Sequence, residues 1–123
     1  MHKPDGYPDV SAYLLVEDAR AVLDFCATVF GAEDLRVITR EDGDGIMHAE
    51  TRIGDSVVMM GEMPGGPEAH LHLYLADADA VFDRAVAAGA EVVQPMTEKG
   101  DGDLRGGVRG PGGVTWWIAR QVA

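Results

Sequence analysis

The chain has 123 residues, of which 46% are hydrophobic and 25% are charged, a composition typical of a compact globular protein. This length can bury one core, and we predict a single domain over residues 1–123. Ten basic residues against 21 acidic ones give a formal net charge of -11. Such a charge repels nucleic acid and anionic membrane surfaces, so we expect neither as a partner, and it favours cationic ligands.

The first segment, MHKPDGYPDV, lacks the apolar stretch of a secretion signal, and no part of the sequence has the length and hydrophobicity of a membrane span. The single cysteine, Cys26, has no partner for an intramolecular disulfide. It falls in an apolar helical pattern, where a small buried side chain is its usual role. We therefore expect a cytoplasmic protein.

A strand is predicted up to Val16, followed by a helix. Asp18 is placed to accept hydrogen bonds from the first helical N–H groups, and Gly31 can end the helix in the left-handed conformation. Between them apolar residues recur at three- and four-residue intervals, which gives the helix one buried face. Three strands then follow, with the sequences DLRVITR, IMHAETRI and SVVMM.

The same pattern returns 59 residues later, where LADADAVFDRAVAAGAE repeats the features of VEDARAVLDFCATVFGAE. Asp77 should cap this second helix, and Gly89 should end it. Its predicted apolar stripe comprises Val81, Phe82, Ala85 and Val86. Strands follow at EVVQPM, VRG and VTWWIA, and we assign the glycines of EKGDGDLRGG and PGG to turns, since they match no phosphate-binding spacing. The predicted modules are 8–62 and 68–121, joined by GEMPGGPEA.

The stretch EAHLHLYLAD opens the second module with strict alternation of polar and apolar residues. Period-two alternation is typical of a strand with one face on the core. His70, His72 and Tyr74 therefore share the opposite face. For His72 the simpler alternative is a solvated strand residue without a function.

This duplicated strand, helix and three-strand order, with YLLVEDARAVLDFCATVFGAE near the start and GPGGVTWWIA at the end, resembles the vicinal oxygen chelate superfamily. Within it, the chain is most similar to the glyoxalase and bleomycin resistance group, including PhnB-like members. The resemblance covers nearly the whole chain. It implies an α+β fold in which two tandem βαβββ modules form a curved sheet cup with helices on the outer face, and it implies a homodimer.

The resemblance also identifies four positions at which metal-using members carry ligands. They fall on Ser11, Met59, His70 and Trp117, where only His70 binds divalent cations well. A catalytic metal needs about three protein ligands, so we expect no metal cofactor. The alternative is a divalent metal bound by His70 together with His48 and Glu50, a combination of ligands that differs from the family's own.

Trp116 and Trp117 are neighbours on a strand, so their side chains point to opposite faces. Trp116 should enter the core with Val114 and Ile118, whereas Trp117 offers a rigid face to planar or cationic groups. The predicted ligand-binding residues are Trp117, His70, Met59, Ser11, Tyr13, His72, Tyr74 and Glu50.

Loss of the metal positions and gain of an aromatic surface favour a small-molecule binding protein. By the resemblance, it would sequester an aromatic or cationic compound such as an antibiotic, without metal-dependent turnover and with no catalytic residue. The alternative is an enzyme of the superfamily, a lyase, isomerase, transferase or dioxygenase-type member. In that case His70 and Glu50 would act as acid and base.

Overall fold

The computed structural model describes residues 2–123, in which the order strand, helix, three strands occurs twice. The first copy consists of β1 (Ala12–Val16), α1 (Ala19–Phe30), β2 (Glu33–Thr39), β3 (Ile46–Ile53) and β4 (Ser56–Glu62). The second consists of β5 (Ala69–Tyr74), α2 (Ala78–Ala87), β6 (Glu91–Glu98), β7 (Asp103–Arg109) and β8 (Val114–Gln121). The predicted α+β fold with two βαβββ modules is confirmed.

Each copy forms its own compact unit, and the division falls between Gly66 and Pro67. The first unit contains a four-stranded sheet in the order β1-β4-β3-β2, and the second a sheet in the order β5-β8-β7-β6. In both sheets the first and last strands of the module pair in parallel, while the other neighbours are antiparallel. The sequence repeat therefore encodes a repeated topology. Within residues 2–123 no helix is long and apolar enough to cross a membrane.

The two helices begin differently. Asp18 caps α1 by accepting a hydrogen bond from the Ala21 N–H at 3.1 Å, and Gly31 ends that helix with a left-handed φ of 66°. Asp77 was predicted to cap α2 in the same way, but its side chain makes no capping hydrogen bond. Its ψ of 36° departs from the extended backbone of a capping residue, which explains the difference.

The side chain of Glu62, which no sequence pattern marks as important, connects the start of α1 to the sheet of the first unit. Glu62 accepts hydrogen bonds from the Ala19 N–H at 2.9 Å and from the Ile46 N–H at 2.8 Å. The first of these bonds satisfies a helical N–H that has no partner within the helix. Glu62 at the end of β4 thereby links the helix to β3.

Each helix packs an apolar stripe on one face of its own sheet. Cys26 is fully buried in the first of these cores, and burial raises the pKa of its thiol to about 12, so the predicted structural role is confirmed. In α2 the prediction for Val86 is wrong, because this side chain is 41% exposed. The stripe is centred on Ala78, Val81 and Ala85, and Val86 lies too far round the helix from that centre to reach the sheet.

Gly106 and Gly107 also differ from their prediction as turn residues, since both lie inside β7. A Cβ atom on Gly106 would lie 2.7 Å from the Phe82 ring, and one on Gly107 would lie 2.6 Å from the Trp117 ring. Glycine is required there because aromatic rings occupy the space of a side chain on both faces of the strand.

Candidate functional site

The two glycines of β7 identify the faces of the second sheet. Gly106 lies beneath Phe82 of α2, so its face carries the helix. Gly107 and Trp117 are level with each other and with His72, and they share the opposite face. We call this surface the second helix-free face; it also contains His70, Tyr74, Arg105 and Asp103.

The Trp117 ring lies over Gly107 and is hydrogen-bonded to His70. The Trp117 Nε1–H donates a hydrogen bond to His70 Nδ1 at 3.0 Å, and the two ring planes are within 13° of parallel. Their centroids are 6.2 Å apart, and the hydrogen bond between the two ring nitrogens brings an edge of one ring to an edge of the other. Because His70 accepts through Nδ1, the proton of the neutral imidazole is on Nε2.

A second cluster on the same face is centred on Arg105. This guanidinium donates to Asp103 at 2.6 Å, to Asp101 at 2.9 Å and to His72 Nε2 at 3.0 Å. Tyr74 donates its hydroxyl proton to Asp103 at 2.7 Å, and its ring meets the His72 ring edge-on. His72 is therefore an exposed strand residue that accepts a hydrogen bond from Arg105.

These contacts shift the protonation equilibria of the cluster. The hydrogen bond to Asp103 raises the pKa of Tyr74, and the hydrogen bond from Arg105 lowers the pKa of Asp101. Partial desolvation and the adjacent Arg105 charge lower the pKa of His72. Since folding lowers that pKa, the contribution of His72 to stability is complete above pH 6.5 and is lost as the pH falls through the folded-state value.

Replacing Arg105 by leucine is expected to raise the pKa of His72 toward 6.5, because the change removes a cation that opposes protonation of the ring. An NMR titration of the His72 ring C–H signals measures the shift. Arg109→Leu is the matched control, since Arg109 lies four residues away on the same strand and pairs with Glu68. An equal pKa of His72 in the wild type and in Arg105→Leu would contradict this assignment.

Tyr74 also borders an open cleft of about 630 Å³ at the far end of β5 and β8. The cleft is lined by Tyr74, Leu75, Ala76, Asp103, Arg120 and Gln121. Tyr74 is 64% exposed there, which is high for a large aromatic side chain. The second helix-free face therefore carries accessible aromatic surface from Trp117 to this cleft.

The first sheet has a comparable row of side chains. Tyr13, Met59, Glu50 and Arg36 are level with one another across β1, β4, β3 and β2. On the opposite face of β3, Ala49 and Thr51 are fully buried, and α1 packs against this strand. The row thus lies on the other side of the sheet, which we call the first helix-free face.

Glu50 is the centre of a hydrogen-bonded relay on this face. It is only 4% exposed, and it accepts hydrogen bonds from the Tyr7 hydroxyl and from His48 Nε2, the latter at 2.7 Å. The Tyr13 hydroxyl lies 3.2 Å from His48 Nδ1. Since Nε2 must donate to the carboxylate, Nδ1 of the neutral ring accepts the Tyr13 proton.

Opposing influences act on the Glu50 carboxyl. Burial, the largest of them, raises its pKa, but the hydrogen bonds from Tyr7 and His48 and the positive charges at His48 and Arg36 together lower it. Glu50 is therefore ionised at neutral pH. The hydrogen bond to Glu50 raises the pKa of Tyr7.

The four positions that correspond to metal ligands do not fit a metal. Ser11 precedes β1, so that Tyr13 and not Ser11 is level with Met59. Met59 and Trp117 offer no hard donor, and the Nδ1 atom of His70 is already used by Trp117. Among residues 2–123 no group of three or more His, Cys, Asp or Glu side chains could hold a metal ion.

Sequence reasoning missed Tyr7, Asp103, Arg105 and the space provided by Gly107. Tyr7 lies before the first strand, 43 residues from Glu50, so no local pattern indicates their contact. Arg105 and Asp103 lie in β7, but their segment was predicted to be a glycine-rich loop and not a strand. Their alternate spacing, DLR, could have indicated two polar side chains on one strand face.

The model of the Glyoxalase/Bleomycin resistance protein/Dioxygenase superfamily matches residues 10–118. The uncharacterized protein Mb0911c of Mycobacterium bovis is 33% identical, over 94% of this chain and 84% of that protein. Among solved structures, TioX from Micromonospora sp. ML1 has a TM-score of 0.75 at 27% identity, covering 93% of this chain and 98% of that one. The fosfomycin resistance protein FosX from Listeria monocytogenes shares the fold alone, with a TM-score of 0.73 at 14% identity over 94% of this chain and 93% of that one. The chain therefore belongs to the Glyoxalase/Bleomycin resistance protein/Dioxygenase superfamily.

Proposed function

We propose that this chain is a small-molecule binding protein that sequesters a flat aromatic or cationic compound, such as an antibiotic, without metal-dependent turnover. The observation that carries the proposal is the hydrogen-bonded, nearly parallel pair of rings of Trp117 and His70 on the second helix-free face. Atoms of the Trp117 ring occupy the space above Gly107, and the side chain is partly exposed. Its exposed aromatic surface would supply the stacking contact for a ligand.

Charge supports the same ligand class. The net charge of -11 raises the local concentration of a basic ligand, and an indole face attracts cations. The hydrogen bond from Trp117 to His70 fixes the orientation of both rings before a ligand arrives. Preorganisation of this kind reduces the entropy lost on binding.

The remaining expectations stay predictions. They comprise a PhnB-like position within the superfamily, a homodimer, a cytoplasmic location and the absence of a cofactor. Ligand contacts by Ser11, Tyr13, Glu50 and Met59 of the first unit also stay predictions.

The alternative enzyme, with His70 and Glu50 as acid and base, is supported by one observation, the ionised Glu50 next to His48. Both Glu50 oxygens already accept hydrogen bonds, however, which favours an orienting role for Glu50.

Calorimetric titration with 9-aminoacridine, a planar cation, tests the proposed function. We expect saturable binding that is tighter than binding of acridone, its neutral planar analogue, and that weakens as salt is added. Native mass spectrometry reports the stoichiometry and the oligomer, and the titration is repeated after treatment with a chelator. Loss of binding after chelation, or absence of saturable binding by both compounds, would contradict the proposal.

A further inference from the structure

The three tyrosines of the chain donate their hydroxyl protons to different acceptors. Tyr7 and Tyr74 each donate to a carboxylate, Glu50 and Asp103 respectively. A neighbouring carboxylate disfavours the phenolate, and both pKa values are raised. Tyr13 instead donates to an imidazole, His48, which can take the proton.

The chain Tyr13, His48, Glu50 has the order hydroxyl, imidazole, carboxylate. In such an arrangement the carboxylate holds the ring in the tautomer that leaves one nitrogen free to accept, and it stabilises the imidazolium that forms. The distances of 3.2 Å and 2.7 Å are within the range expected without a bound substrate. We propose that Tyr13 Oη is a nucleophile that accepts an acyl group from activated esters, with His48 as its general base and Glu50 as a positioning residue.

The proposed site lies on the first helix-free face and goes beyond ligand binding at Trp117. Tyr13 is 51% exposed, so an ester can approach its oxygen. A Cβ atom on Gly61 would lie only 3.0 Å from that oxygen. Glycine at this position gives the hydroxyl room to lie close to the sheet, where it reaches His48.

The acyl transfer needs no oxidant or metal. Tyr13 Oη forms a bond to the ester carbonyl carbon while its proton moves to His48 Nδ1. The bond between the carbonyl carbon and the leaving oxygen then breaks. The leaving group departs with that electron pair, His48 releases its proton to solvent, and Tyr13 remains as an acyl ester that water can hydrolyse.

Reaction with p-nitrophenyl acetate tests this site in the full chain. We expect a burst of p-nitrophenolate with acetylation of Tyr13, about 100-fold faster than acetylation of Tyr74, although Tyr74 is the more exposed. Peptide mapping by mass spectrometry measures each rate. Tyr13→Phe should abolish the burst, and His48→Gln should slow it by about 100-fold because glutamine cannot accept the proton.

Matched variants separate positioning from a general loss of charge. Glu50→Gln should slow the burst, whereas Glu33→Gln, which changes an exposed carboxylate of the same sheet, should leave it unchanged. Near-ultraviolet circular dichroism establishes that each variant is folded. If Glu50→Gln is unfolded, the rate of the burst in His48→Gln alone tests the proposed reaction. Acetylation of Tyr74 or Tyr7 at the rate of Tyr13, or an unchanged burst in folded His48→Gln, would overturn the proposal.

Discussion

Replacing Trp116 by alanine is expected to lower the free energy of unfolding by about 3–5 kcal/mol. The side chain is 1% exposed and lies on the helix-bearing face of the second sheet, level with Leu71 and Val108. Its removal leaves a cavity that the neighbouring strands cannot fill, because their own backbone hydrogen bonds fix their positions. Urea denaturation followed by far-ultraviolet circular dichroism measures the change.

Trp117→Ala is the internal control for that experiment, because it removes the same side chain from the adjacent position and the other face. We expect it to lower the free energy of unfolding by about 1 kcal/mol or less. A destabilisation as large as that of Trp116→Ala would contradict the assignment of Trp116 to the core face and of Trp117 to the second helix-free face.

The same Trp117→Ala variant is expected to weaken binding of 9-aminoacridine by about 10–100-fold, since stacking on an aromatic side chain contributes about 1–3 kcal/mol. Calorimetric titration of the folded variant measures the loss. The expected loss is large because the indole supplies both the flat surface and the attraction for the cation.

Two variants control for effects other than stacking. Trp117→Phe keeps a smaller aromatic face and loses the N–H that bonds His70, so its affinity should lie between those of the wild type and Trp117→Ala. Gly107→Ala keeps the tryptophan but places a Cβ atom where the ring now lies, so affinity should fall although Trp117 is intact. Unchanged affinity in both Trp117→Ala and Gly107→Ala would place the ligand elsewhere.

Much of the fold could be predicted because the decisive signals are local. Capping by Asp18, termination at Gly31 and the alternation of His70, His72 and Tyr74 each depend on residues a few positions apart. Two local signals failed for a physical reason. Asp77 is a residue type that caps helices, but its backbone angles are not those of a capping residue. Gly106 is a residue type common in turns, but here glycine is needed because the Phe82 ring leaves no space for a side chain.

The candidate site was harder to predict, because its contacts depend on the register between strands. Trp117 and His70 could be placed on one face from the repeat and from alternation. The hydrogen bond between them depends on the parallel pairing of β5 with β8, which brings together residues 47 positions apart. Contacts of Arg105 with His72 and of Tyr7 with Glu50 likewise have no local sequence signal.

Adjacent glycines in β7 have a consequence for how this sequence can evolve. Position 107 cannot gain a side chain unless the residue at 117 becomes smaller, and position 106 is constrained in the same way by Phe82. Substitutions at 107 and 117 should therefore appear together among homologues, and those at 106 should appear with changes at 82. Two neighbouring codons of one strand are thus constrained by the packing of the core on one face and by Trp117 on the other.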